Sequence, residues 1–112
     1  MEESNLVRQL MAILIWQAPM RYFSPGDEAA FFSWLQSISG VVSVKGRGRE
    51  LHIRLRSKRL SAKSLREFIA LYQRYQGNMN ELAQFTSQSN SSWFADPKAY
   101  WFSQVFESGH AD

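Results

Sequence analysis

The chain has no cysteine, and that one absence removes disulfides, zinc–thiolate sites and thiol nucleophiles together. Histidine is scarce too, at His52 and His110. A serine–histidine–aspartate triad needs one of them fixed and part-buried, yet His52 falls on an outward strand position and His110 in a tail. No histidine pair stands one helical turn apart beside a carboxylate, as a zinc site would require. Long apolar runs are also missing. Ala12–Trp16 is too short to span a bilayer or to form the core of a secretory signal, and the start Met1-Glu2-Glu3 is acidic where such a signal carries positive charge. These absences predict a cytoplasmic protein with no membrane segment, no cofactor and no small-molecule substrate, acting by binding rather than by catalysis.

What is present suffices for a core. A chain of 112 residues, 45% hydrophobic and 14% aromatic, is expected to form a single domain over 1–112. Each aromatic ring buries on the order of 150–250 Å², so a few well-placed rings stabilise a short chain without cross-links. Charge is segregated. Nine of the thirteen basic residues and one of the ten acidic residues lie between Lys45 and Arg66, a net +8 that leaves −5 for the rest. A field this uneven bears on partners and association rates, not on fold.

Along the chain, Leu6, Leu10, Ile13 and Leu14 recur at helical spacing and predict a helix over 5–16, with a buried strand at Ile13–Trp16 as the alternative. Ser24-Pro25-Gly26-Asp27 reads as a helix start, with a serine cap and proline at the first position. Phe31, Trp34, Leu35 and Ile38 give that helix its apolar face, and Ser39-Gly40 ends it. Period two follows: Val42 and Val44 alternate with Ser43 and Lys45, then Leu51, Ile53 and Leu55 with His52, Arg54 and Arg56. Gly46-Arg47-Gly48-Arg49 lies between, so 41–56 is predicted to be a β-hairpin with one buried and one basic face. Ser61 or Ser64 caps the next helix, whose core stripe is Leu65, Phe68, Ile69, Tyr72 and Tyr75, with Gly77 as its stop. A short helix over Met79–Phe85, a polar loop and a last helix from Asp96-Pro97 through Phe106 complete the order. Trp101 is expected in the core, and 107–112 is expected to fray. The architecture implied is α+β, with helices packed on one face of a small antiparallel sheet built around the hairpin. A two-stranded hairpin is marginal alone, so helices or a third strand from the N-terminal segment must support it.

The basic hairpin is the strongest functional signal. Outward His52, Arg54 and Arg56, the turn arginines Arg47 and Arg49, and Lys58-Arg59 beyond are expected to form a continuous positive ribbon able to meet an acidic protein surface or to track nucleic-acid phosphates. Exposed aromatics, which single-strand binders use for stacking, do not accompany it. The glycines of Gly46-Arg47-Gly48 precede a strand rather than a helix, which argues against a phosphate loop. Asp27 and Glu28 are the acidic candidates for partner contact, although the dipole of a first helical turn explains them equally well.

The second half of the chain carries a resemblance. Leu65-Arg66-Glu67-Phe68-Ile69-Ala70-Leu71-Tyr72 runs into Arg74-Tyr75, then Met79 and Glu81-Leu82-Ala83-Gln84-Phe85. Ser92-Trp93-Phe94, Asp96-Pro97, Ala99-Tyr100-Trp101 and Val105-Phe106 follow. With the upstream Gly26-Asp27-Glu28-Ala29-Ala30-Phe31-Phe32 and the hairpin, this pattern resembles small bacterial immunity proteins of polymorphic toxin systems, including contact-dependent growth inhibition. The resemblance implies a cytoplasmic protein that binds a cognate toxin domain and blocks its active site, often a nuclease site. It carries over no contact residues, because the shared motifs are fold determinants. Inhibitors of nucleases are often acidic, whereas this chain has a pI near 9.5. Either the acidic remainder makes the contact, or the toxin is not a basic nuclease. The alternative class is a nucleic-acid-binding or regulatory accessory domain that uses the basic hairpin.

Overall fold

Three strands form one antiparallel sheet in the order β1-β3-β2: β1 (Ala12–Gln17), β2 (Val41–Arg47) and β3 (Glu50–Leu55). The structure, a computed structural model, describes residues 11–17 and 21–107. For the described part of 5–16 the helix is therefore corrected and the alternative, a strand through Ile13–Trp16 that supplies the sheet's third member, is what forms; 5–10 lie outside the described residues. The helical spacing was accidental. Ile13, Leu14, Ile15 and Trp16 alternate in burial, with Leu14 and Trp16 fully buried and the isoleucines outward, which is strand periodicity in a run apolar on both faces.

The hairpin forms as expected, with a two-residue loop at Gly48-Arg49. Gly48 has φ +60°, the left-handed region that glycine adopts without penalty. One detail differs. A bulge between Val41 and Ser43 shifts the register so that Val41 opposes Leu55 and Val44 opposes Ile53. Val42 becomes the extra residue and stands 52% exposed, so the inward position expected for it belongs to Val41.

All the helical packing falls on the sheet face carrying Leu14, Trp16, Leu51, Ile53 and Leu55. Helix α1 (Pro25–Ser37) begins at Ser24, whose hydroxyl accepts from Asp27 N at 3.0 Å, and buries Phe31 and Leu35. Helix α2 (Ala62–Arg74) is capped by Ser61, not Ser64, and buries Leu65, Phe68, Ile69, Leu71 and Tyr72. The Ser64 and Glu67 side chains, spaced as a capping box, clasp α1 instead. Ser64 Oγ donates to Ser39 O (2.8 Å), and Trp34 Nε1 donates to Glu67 Oε1 (2.8 Å).

Gly77 does not supply the left-handed turn that ends α2. Gln76 does, at φ 59°, while Gly77 N donates to Tyr72 O and Gln76 N to Gln73 O, the two bonds of a Schellman closure. Gly77 is needed for space: a Cβ there would lie 2.6 Å from both Trp16 Cζ2 and Tyr72 Cδ2.

After α2 the chain tightens into a 3₁₀ segment, Met79–Phe85, and a single helical turn α3 (Ser91–Phe94). The expected last helix from Asp96 through Phe106 does not form as one element. Asp96 Oδ1 accepts from Lys98 N, the next backbone bonds are three-residue turns, and a π-helical turn spans Ser103–Glu107. A straight helix would fan the consecutive Tyr100, Trp101 and Phe102 about 100° apart, although the core lies on one side. The turned path lets Trp101 Nε1 donate to Phe94 O (2.8 Å) and seats Val105 in the core. Val105 O in turn accepts from Asn80 Nδ2 (2.7 Å). Trp101 ends partly buried and packed against the core, and Tyr100 stays 67% exposed.

One ionisable group sits where β1, α2 and the 3₁₀ segment meet. Glu81 accepts from Tyr72 Oη (2.8 Å) and from Gln17 N (3.2 Å), and burial pushes its carboxyl above 4.5 despite those two bonds. The folded protein therefore holds this proton more tightly than the unfolded chain does. The stabilisation is whole below 4.5 and is lost as pH rises through the raised folded value. Relative to the parent, Glu81→Gln is expected to gain stability between about pH 4 and 7, measured as urea midpoints. A constant difference across that range would show that the carboxyl titrates alike in both states.

Candidate functional site

The sheet face opposite the helices is covered by no described element, and its side chains fall into three rows across the strands. In order β1, β3, β2 these are Ile13–Arg54–Ser43, Ile15–His52–Lys45 and Gln17–Glu50–Arg47. Pairing in a sheet brings directly opposed side chains within about 4.5–5.5 Å at Cβ, so each row is a contiguous strip. Ile13 is 50% exposed and Ile15 37%.

At the centre lies a shallow concavity of about 80 Å³ lined by Ile13, Ser43, Lys45, Arg47, His52 and Arg54. Among the described residues no carboxylate comes within 4 Å of Lys45, Arg47 or Arg54. The face's own acid, Glu50, is engaged with His52, Oε1 to Nε2 at 2.9 Å. Three cations thus border one notch with no carboxylate within 4 Å among the described residues, and Ile13 lines its β1 side.

The sequence candidates divide on this geometry. Arg47 and Arg54 line the notch, Arg49 projects from the hairpin tip, and Arg56 follows the end of β3 outside the notch. Lys58 and Arg59, through which the ribbon was expected to run on, lie outside the notch. Those two residues line a separate hollow of about 440 Å³ with Leu60 and the segment Gln84–Asn90. Much of that hollow's polar lining is internally satisfied: Asn90 Nδ2 donates to Phe85 O, its Oδ1 accepts from Ser87 N, and Thr86 Oγ1 donates to Ala83 O.

Asp27 and Glu28 are not brought to the basic face, since α1 packs on the other side of the sheet. Both Asp27 oxygens have internal donors, Tyr75 Oη at 3.0 Å and Phe23 N at 2.9 Å. Asp27 is a fold residue by this measure. Glu28 is exposed, and after burial it is the next cause holding the Tyr22 hydroxyl up at about 12.

Three members of the notch, Ile13, Ser43 and Lys45, were not among the sequence candidates. Lys45 was legible, because the hairpin alternation puts it outward beside His52. Ile13 was not, because its segment reads as a helix.

No group of three or more histidine, aspartate or glutamate residues able to hold a metal occurs among the described residues, and none of their helices is long and apolar enough to cross a membrane. No protein-family model matches the chain, and neither the curated proteins nor the solved structures include a match.

Proposed function

We propose that this protein is a cytoplasmic immunity protein that binds a cognate bacterial toxin domain and neutralises it by covering the toxin's active site. The observation that carries the reading is the sheet face opposite the helices, where cations with no carboxylate within 4 Å among the described residues stand beside exposed isoleucines. Desolvating such a surface in water is favourable when a partner supplies both carboxylates and apolar contact. A duplex backbone supplies phosphates but leaves the isoleucines with nothing to bury against, which favours a protein partner over nucleic acid. In this reading the site has no catalytic residue and takes no cofactor.

Co-expression with the toxin domain encoded beside it is expected to rescue growth, while a non-cognate toxin stays lethal. Purified together, the two should form a complex of about nanomolar Kd or tighter. Reversing Arg54 and Arg56 to Glu leaves an exposed surface folded and is expected to weaken that complex about 100-fold, since like charges across an interface repel. No complex with the neighbouring product would end the immunity reading. A complex indifferent to the reversal would move the contact to the acidic surface around Glu28.

Nucleic acid remains the second reading because the hairpin is basic. Four phosphate contacts would give a log–log salt slope of about −3 to −4. Weak, non-selective binding at physiological salt is expected. Submicromolar, salt-steep binding by the isolated protein would replace the immunity reading with a nucleic-acid one.

A further inference from the structure

We infer that the notch between Ile13, Lys45, Arg47 and Arg54 is the receiving site for a carboxylate side chain of the partner, presented next to an apolar residue that covers Ile13 and Ile15. The inference deepens the toxin-binding reading and rests on it for the partner's identity, but the chemistry of the notch is argued from its own geometry.

A concavity of about 80 Å³ has room for several waters, and equally for a carboxylate group that displaces them. Its position is set by register. Arg54 stands between Ile13 and Ser43, and Lys45 one row along beside His52, so cations from two strands border the same space. Neither has a carboxylate within 4 Å among the described residues, and Glu50 is held by His52. A carboxylate arriving here gains charge-assisted hydrogen bonds without breaking an ion pair among the described residues. The planar Arg54 fork suits two carboxylate oxygens, and Ser43 offers a hydroxyl donor at the edge.

The isoleucine wall decides the class of ligand. Exposed Ile13 and Ile15 lie on the neighbouring strand, so a ligand filling the notch also meets apolar surface. An acidic protein segment with alternating carboxylate and aliphatic side chains satisfies both requirements. An oligonucleotide satisfies one, and no aromatic side chain lines the notch to stack its bases. A second copy of this chain would bring another strongly basic segment against the first.

The test uses the full chain and two probes: a blocked pentapeptide alternating glutamate with leucine, and hexathymidylate. Backbone and side-chain NMR shifts report where each binds, and the basic hollow at Lys58 and Arg59 serves as an internal control. With the peptide, shifts are expected at Ser43, Lys45, His52, Arg54 and the Ile13 and Ile15 methyls, with little change at Lys58 and Arg59. The exposed pair Lys45→Gln with Arg54→Gln should weaken the peptide about tenfold at 0.1 M salt. Ile13→Ser should weaken the peptide about threefold and leave hexathymidylate unchanged. Even shifts over all basic residues, a response centred on Lys58 and Arg59, tighter notch binding by hexathymidylate, or no response at all would overturn the inference. Toxin binding is scored separately. A notch that takes the peptide in a protein that binds no toxin removes the immunity reading alone. A toxin complex unaffected by the Lys45 and Arg54 pair removes the notch alone.

Discussion

Trp16→Ala is expected to lower the unfolding free energy by about 3–5 kcal/mol, the range for truncating a buried large aromatic. Against a typical domain stability of about 5–15 kcal/mol this leaves a marginal protein. Trp16 is fully buried, stacks on Tyr72 with centroids 3.8 Å apart, and meets the edge of Phe31 at 5.1 Å. It therefore joins β1, α1 and α2 at one point. Its Nε1 has no hydrogen-bond partner among the described residues. The ring is retained for its volume, so Trp16→Phe should cost far less, under about 2 kcal/mol, because it also removes an unsatisfied buried donor. Urea unfolding of both variants checks the pair. A loss below 1 kcal/mol for the alanine variant would show that β1 is not part of the cooperative core.

Gly77→Ala is the second large effect, about 2–4 kcal/mol, from a single added methyl group. Overpacking usually costs about 1–3 kcal/mol. Here the methyl would meet two stacked rings, at 2.6 Å from each, rather than one flexible side chain. Neither ring can retreat easily: Tyr72 is tied to Glu81 through its hydroxyl, and Trp16 is pinned in β1 opposite Leu51. The cause can be isolated with a double mutant. Trp16→Leu opens the space, so Gly77→Ala should cost markedly less in that background, a coupling of about 1 kcal/mol or more. Equal cost in both backgrounds would place the strain elsewhere. One residue back, Gln76→Gly should be neutral or mildly stabilising. It relieves a left-handed backbone at a side-chain-bearing residue while adding entropy to the unfolded chain.

Where one physical rule governed a segment, the sequence was readable. The Ser24-Pro25 helix start, the Gly48 turn, the alternation Leu51, Ile53, Leu55 and the α2 stripe each follow from local backbone chemistry or from one clean period. The α+β layering followed from these. Misreadings arose where two rules compete. Ile13–Trp16 is apolar at every position, so neither period two nor 3.6 stands out until the pairing partner β3 is known. The bulge at Val42 leaves no local mark, because valine suits both faces of a strand. Asp96-Pro97 is a sound helix start, but the demand to bury Trp101 and Val105 together turned the chain off a helical path. For the site, the arginines of β3 and β2 were legible from alternation. The notch was not, since its apolar wall comes from a strand far away in sequence.

The position of β1 has a consequence in time. During synthesis β1 emerges first, yet its ladder runs entirely along β3, about 30–45 residues later. At about 5–20 residues per second it waits for seconds with Ile13, Leu14, Ile15 and Trp16 unpaired, whereas the β2–β3 hairpin can close within about 1–10 μs of emerging. The hairpin with α2 is thus expected to order first, and Trp16 closes the assembly when β1 docks. Pulsed hydrogen exchange during refolding should then protect the β2–β3 amides before those of Leu14 and Trp16. The strand that supplies the notch's apolar wall would be the last to arrive, so the face bearing the notch is completed in the same step that seals the core.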